Sequence, residues 1–95
     1  MLLIGSNSLE AFAKKQPTAR KRFASWLKVV RASQWKNLEE VKSTYQQTDG
    51  GVKKDYTVFN VGSFRVVAKI DYAESIIAVV FVFTHAEYTH WSDKK

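Results

Sequence analysis

The chain has 95 residues, no cysteine and a formal charge of +6 at pH 7, with a sequence pI near 9.7. Cores rarely divide below about 250 residues, so one domain is expected over 1–95, and a hydrophobic content of 45% is enough to pack it. Without cysteine there is no disulfide framework, thiolate metal site or cysteine nucleophile. Met1-Leu2-Leu3-Ile4 is too short for a signal-peptide core, and the run from Ile76 to Phe83 falls far below the roughly 18 apolar residues that cross a bilayer. A soluble, cytoplasmic protein that does not engage a membrane is expected.

Leu2-Leu3-Ile4 suits a short first strand, broken by Gly5-Ser6. Asn7 followed by Glu10 has the spacing of a capping box, and Leu9, Phe12 and Ala13 then share one helical face. That helix is expected to stop near Gln16, because Pro17 disfavours helical geometry in the residue before it. Pro17 itself fits the first turn of a second helix. Ala19, Phe23, Trp26, Leu27 and Val30 follow at helical spacing as an apolar stripe, with Lys21, Ser25 and Lys28 opposite and Arg22 and Arg31 at the margins. Between Glu10 and Glu39 there is no acidic residue, while Lys14, Lys15, Arg20, Lys21, Arg22, Lys28, Arg31 and Lys36 all lie there. Such segregation raises the potential on one side and favours a polyanionic or acidic partner.

A shorter helix is expected after Trp35-Lys36-Asn37, with Leu38, Val41 and Tyr45 facing inward. Residues 46–55 carry two glycines, Lys53 and Lys54 and no apolar period, and read as a loop with a basic tip. Two strands then meet at a Gly62-Ser63 turn. In the second, Phe64, Val66, Ala68, Ile70 and Tyr72 alternate with Arg65, Val67, Lys69 and Asp71, the period of a half-buried strand. Ala73-Glu74-Ser75 turns into a third strand, Ile76 to Phe83. It is apolar at every position, and is therefore expected to be central and buried on both faces. The economical solution is an α+β fold, a small, mainly antiparallel sheet packed against the N-terminal helices.

Several kinds of chemistry lack their residues. There is no glycine-rich phosphate loop or dinucleotide fingerprint. His85 and His90 are five apart rather than four, with only Glu87 and Asp93 as nearby carboxylates, so no metal site is expected. Arg65, on the open face of its strand, matches phosphate in two-point geometry, unless it pairs with Asp71 or Glu74. His85 and Tyr88 can exchange protons. With the basic segment they permit cleavage of RNA by its own 2′-hydroxyl, which needs a base, an acid and positive charge at the phosphorus but no metal. Trp26 belongs to the core stripe. Trp35, beside Lys36, is expected in the core, and Trp91 is expected to cap the sheet or to stack on a base.

Trp35-Lys36-Asn37, Val58-Phe59-Asn60-Val61-Gly62, Arg65 and Thr84-His85-Ala86-Glu87-Tyr88, in that order and spacing, resemble the HigB toxin family of the RelE-like group. The resemblance implies a compact α+β toxin of a type II toxin–antitoxin system, an mRNA interferase acting on the translating ribosome without a cofactor and neutralised by a HigA-like antitoxin. It implies that Arg65 stabilises the scissile phosphate, that His85 and Tyr88 transfer protons or position substrate, and that Lys36 and Asn60 orient RNA. Charge adds Lys53, Lys54 and Lys69 as RNA contacts. Two positions depart from the family pattern. Ser63 replaces a second glycine, and Val80 stands where relatives carry an arginine. The alternative is a catalytically weakened protein that binds RNA or the ribosome electrostatically and is neutralised by an acidic partner.

Overall fold

The computed structural model describes residues 1–45, 48–50 and 56–93. Its elements run β1 (Leu2–Ile4), α1 (Ser6–Lys15), α2 (Ala19–Ala32), α3 (Leu38–Thr44), β2 (Asp49–Gly50), β3 (Thr57–Val61), β4 (Phe64–Asp71), β5 (Ile76–Thr84) and α4 (His85–Asp93). The strands form one sheet in the order β1-β5-β4-β3-β2. β1 pairs parallel to β5, and every other pairing is antiparallel. The α+β architecture expected from the sequence is the one observed.

The amphipathic stripe of α2 decides which face of the sheet becomes the core. Ala19, Phe23, Trp26 and Val30 are all buried. Trp26 packs edge-on against Phe59 of β3 at 5.2 Å between ring centroids, and Trp35 stacks on the same ring at 5.9 Å. Phe12 of α1 and Phe23 of α2 meet Phe64 of β4 at 5.5 and 5.8 Å. Each fully buried side chain of this size contributes roughly 1.5–3 kcal/mol relative to exposure, so these rings clamp the three N-terminal helices to β3 and β4. Trp35 also donates its indole N–H to Thr44 Oγ1 at 3.1 Å. Both Trp26 and Trp35 are therefore core residues, as the sequence implied. So are Leu38, Val41 and Tyr45, of which Val41 is fully buried.

Helix starts differ from their sequence signals. The Asn7–Glu10 spacing does not cap α1. That helix begins at Ser6 after Gly5, whose φ of 90° turns the chain out of β1, and no side chain caps it. Its end is as expected, with Gln16 at the C-cap. Pro17 lies one position before the Thr18 N-cap of α2 rather than inside its first turn, and its carbonyl accepts from Arg20 N–H. The side-chain caps are elsewhere. Asn37 accepts from Glu40 N–H at the head of α3, and Thr84 and Glu87 bond reciprocally at the head of α4. Within the stretch expected to be a plain loop, Asp49–Gly50 forms an edge strand paired with Thr57 and Val58.

The uniformly apolar run of β5 conceals a bulge. Val67 of β4 faces Phe81, but Ala68 faces Val79, so Val80 is left over between them. Before the bulge, Ile77 and Val79 point into the core. After it the phase flips, Val82 packs on the core, and Phe81 and Phe83 turn to the other face. β1 covers only Ile76 to Ala78. The expectation of burial on both faces is thus corrected. Phe81 is 38% exposed, and the C-terminal half of β5 is only half-buried.

α4 packs on that second face. Trp91 meets Tyr56, Phe81 and Phe83 at 5.6–5.7 Å, and Phe81 stacks on Phe83 at 5.4 Å. Beneath this aromatic layer Val58 and Val67 are fully buried. The sheet accordingly lies between a large core on the α1–α3 side and a small one under α4. Trp91 caps the sheet.

Candidate functional site

A strand followed directly by a capped helix builds the site. The hydroxyl of Thr84, the last residue of β5, accepts from Glu87 N–H at 3.2 Å, and the Glu87 carboxylate accepts from Thr84 N–H at 2.8 Å. This reciprocal capping box satisfies donors that the first helical turn leaves open. It fixes the direction of α4 at its first residue, His85. Positions three apart on a helix share a face, so His85 and Tyr88 project together.

They meet Arg65. On the outer face of β4, Arg65 is held by its own turn, with Nη1 donating to the carbonyls of Phe64 at 3.0 Å and Gly62 at 3.4 Å. Its Nη2 lies 3.2 Å from His85 Nδ1, and its guanidinium carbon sits 5.9 Å from the centre of the Tyr88 ring. A guanidinium only donates, so in this contact Nδ1 is the acceptor. Among the described residues neither Asp71 nor Glu74 pairs with Arg65. Asp71 accepts from Glu74 N–H at 3.0 Å, and among the described residues the hydrogen-bond partners of Arg65 are two carbonyls and an imidazole. Its charge remains available to an anion.

The other expected RNA contacts are distributed unevenly. Asn60 is the cross-strand partner of Arg65. Lys69 lies on the same face of β4, four residues along and so about 13 Å away at roughly 3.3 Å per residue, with its ammonium 5.1 Å above the Tyr56 ring. Lys36 is exposed on the connection from α2 to α3, its backbone N–H held by the Glu40 carboxylate at 3.0 Å, and no described contact links it to Arg65. Lys53 and Lys54 lie outside the described residues. His90 is exposed on α4. Val80, where the resemblance led us to expect an arginine, is the bulge residue of β5. It lines a groove against Ser8, Ala11, Phe12 and Lys15 of α1, whereas the strand neighbour of Arg65 is Phe83. Among the described residues no group of three or more histidine, aspartate or glutamate side chains could hold a metal ion, and no helix is long and apolar enough to cross a membrane.

Sequence reasoning offered Trp91 as a cap on the sheet but missed the aromatic layer that Tyr56, Phe81 and Phe83 form with it beside this site. The bulge that assembles it leaves no mark in a run where every residue is apolar. The Thr84–Glu87 box, by contrast, had a legible signal in its Thr-x-x-Glu spacing.

The geometry gives a half-buried cation, an imidazole and a phenol on one face, presented by a sheet between two cores. The family model of HigB toxin, the RelE-like toxic component of a toxin–antitoxin system, matches residues 19–91, from the start of α2 to Trp91 in α4. The chain belongs to the HigB toxin family. The matched span carries Arg65, His85 and Tyr88 together and leaves out β1 and α1. Membership makes this chain the toxin of a toxin–antitoxin system, for which an antitoxin is the expected partner. No curated protein matches the chain.

Proposed function

We propose that this HigB-family toxin is an endoribonuclease that cleaves mRNA on the translating ribosome in the cytoplasm, by attack of a 2′-hydroxyl on the adjacent phosphate. The observation that carries the reading is the contact of Arg65 with His85 beside the Tyr88 ring. In this scheme the substrate phosphate takes Nη2 of Arg65 away from His85. That frees the Nδ1 lone pair to accept the 2′-hydroxyl proton as the 2′-oxygen bonds to phosphorus. The phosphorus–5′-oxygen bond breaks, and the leaving oxygen takes a proton from the Tyr88 hydroxyl. The products are a 2′,3′-cyclic phosphate and a free 5′-hydroxyl, and solvent returns the proton from His85 to Tyr88. Arg65 holds the charge that accumulates on the phosphorane, where a preorganised donor is worth about 10²–10³ in rate. No step in the scheme requires a metal or a cofactor. Asn60 and Lys69 orient the strand on either side, Lys36, Lys53 and Lys54 contribute positive charge toward mRNA or ribosomal RNA, and a HigA-like antitoxin neutralises the toxin.

The test is a reconstituted translation reaction with the protein added and mRNA ends mapped, alongside naked mRNA. Cuts on programmed ribosomes that fall about tenfold or more in both Arg65→Ala and Tyr88→Phe support the assignment. Equal cutting by both variants sinks it. Stalled translation with intact mRNA would instead make the protein an electrostatic binder of RNA or ribosome.

A further inference from the structure

Beyond Arg65, the structure holds a second cationic site that the catalytic scheme does not use. β2 pairs with Thr57 and Val58 of β3, and α2 packs against β3. A groove of about 370 Å³ results, lined by Lys21, Arg22 and Ser25 of α2, Tyr45 after α3, and Asn60 and Gly62 at the end of β3. Gly62 is the pivot. Its φ of 63° favours glycine, and a Cβ there would run into the Arg22 side chain, colliding with Cδ and standing 2.6 Å from Nε and 3.1 Å from Cζ. Arg22 therefore lies directly over the Gly62 turn, while Arg65 donates to the Gly62 carbonyl at 3.4 Å. The Arg22 side chain lies against this turn on the groove side, and Arg65 donates to it from the outer face.

Gathering Arg22, Lys21 and Arg65 about a single turn is unfavourable for the isolated chain, because like charges repel. A polyanion that passes over the turn relieves the repulsion. We propose that this groove binds an RNA phosphate next to the one held at Arg65, with Arg22 as its principal ligand, so that the strand bends over the Gly62 turn. The proposal rests on the reading of Arg65 as the site of the scissile phosphate. Asn60 serves both ends, since it lines the groove and is the cross-strand partner of Arg65. Ser25 and Tyr45 add hydroxyl donors. Arg22 is exposed and outside the core, so its removal leaves the fold intact.

The experiment measures binding of a labelled single-stranded RNA oligonucleotide, 2′-O-methylated throughout so that it cannot be cut, as salt is varied. On a single strand, the slope of log affinity against log salt shrinks by about 0.7 for each phosphate that the protein no longer neutralises. Arg22→Ala is expected to reduce the slope by about that much and to weaken binding roughly tenfold at low salt. Arg22→Lys should recover the slope but only part of the affinity. Arg20→Ala removes the same charge from the other side of α2, where Arg20 lines a different groove against α1, and should retain the wild-type slope. A wild-type slope in Arg22→Ala, or an equal reduction in Arg20→Ala, overturns the groove while leaving ribosomal cutting untouched. Absence of RNA binding by the wild type overturns it as well, as does an Arg22→Ala variant that is weakened only toward the antitoxin. If Arg22→Ala reduces the slope but the wild type never cuts mRNA, the nuclease reading falls and the groove stands.

Discussion

Replacing Thr84 with alanine isolates the device that aims the site. The substitution removes the hydroxyl that accepts from Glu87 N–H at 3.2 Å and leaves the opposite bond, Thr84 N–H to the Glu87 carboxylate at 2.8 Å, available. Loss of an N-cap side chain costs about 1 kcal/mol, within a range of roughly 0.5–2. α4 is only nine residues long, short of the roughly 12–15 at which an isolated helix becomes marginally stable. It is therefore held by its cap and by the packing of Trp91 on Tyr56, Phe81 and Phe83. Because the packing lies a turn or more beyond the cap, the loss should appear locally. A change of about 1 kcal/mol is a factor of about five in an opening equilibrium, so the Glu87, Tyr88 and Thr89 amides should exchange about fivefold faster. The amides of β4, under the aromatic layer, should change little, and Thr84→Ser should restore most of the protection. Native-state hydrogen exchange read residue by residue is the assay. Unchanged protection at Glu87 in Thr84→Ala would refute the role given to the cap. Equal loss throughout β4 and β5 would show that α4 does not open separately from the sheet.

Phe59→Ala should destabilise the protein by about 3–5 kcal/mol, since this fully buried ring meets Trp26, Trp35 and Tyr45 at 5.2–5.9 Å; urea denaturation measures the loss, and a change under about 1 kcal/mol, well below that range, would contradict this packing. Gly62→Ala should cost at least about 1–2 kcal/mol from the left-handed backbone alone, because the φ of 63° is set by the β3–β4 turn; the same denaturation series reads it. Burial raises the pKa of both Tyr45 and Tyr72 from the ordinary 10.0, with a hydrogen bond to Thr57 partly opposing the shift at Tyr72. The unfolded chain ionises first, so this share of stability is whole below about pH 10 and is lost as pH rises from there through the raised values. Denaturation midpoints should fall across that window, and less steeply in Tyr45→Phe.

The local physics of the chain determined a good deal. The 3.6-residue stripe of Ala19, Phe23, Trp26 and Val30 decided that α2 forms and which side it buries, because no other face of that segment can leave water. Alternation from Phe64 to Asp71 placed Arg65 and Lys69 on the face opposite Phe64 and Val66, and the Gly62-Ser63 and Ala73-Glu74-Ser75 turns set the order of the strands. The family motifs, which depend only on residue identity and spacing, marked Arg65, His85 and Tyr88. Tertiary structure decided what side-chain patterns leave degenerate. In β5 every residue is apolar, so neither the bulge at Val80 nor the outward turn of Phe81 and Phe83 had a signature, and both follow from pairing with β4. Asn7 and Thr84 each precede a glutamate by three residues, yet of the two only Thr84 caps a helix, because α1 starts two residues too early, with the left-handed Gly5 at its N-cap. The meeting of Arg65 with His85, and of Arg22 with Gly62, joins residues 20 and 40 positions apart in the chain. Such contacts exist only once helix and strand have packed, since nothing in the local sequence of either partner encodes the distance between them.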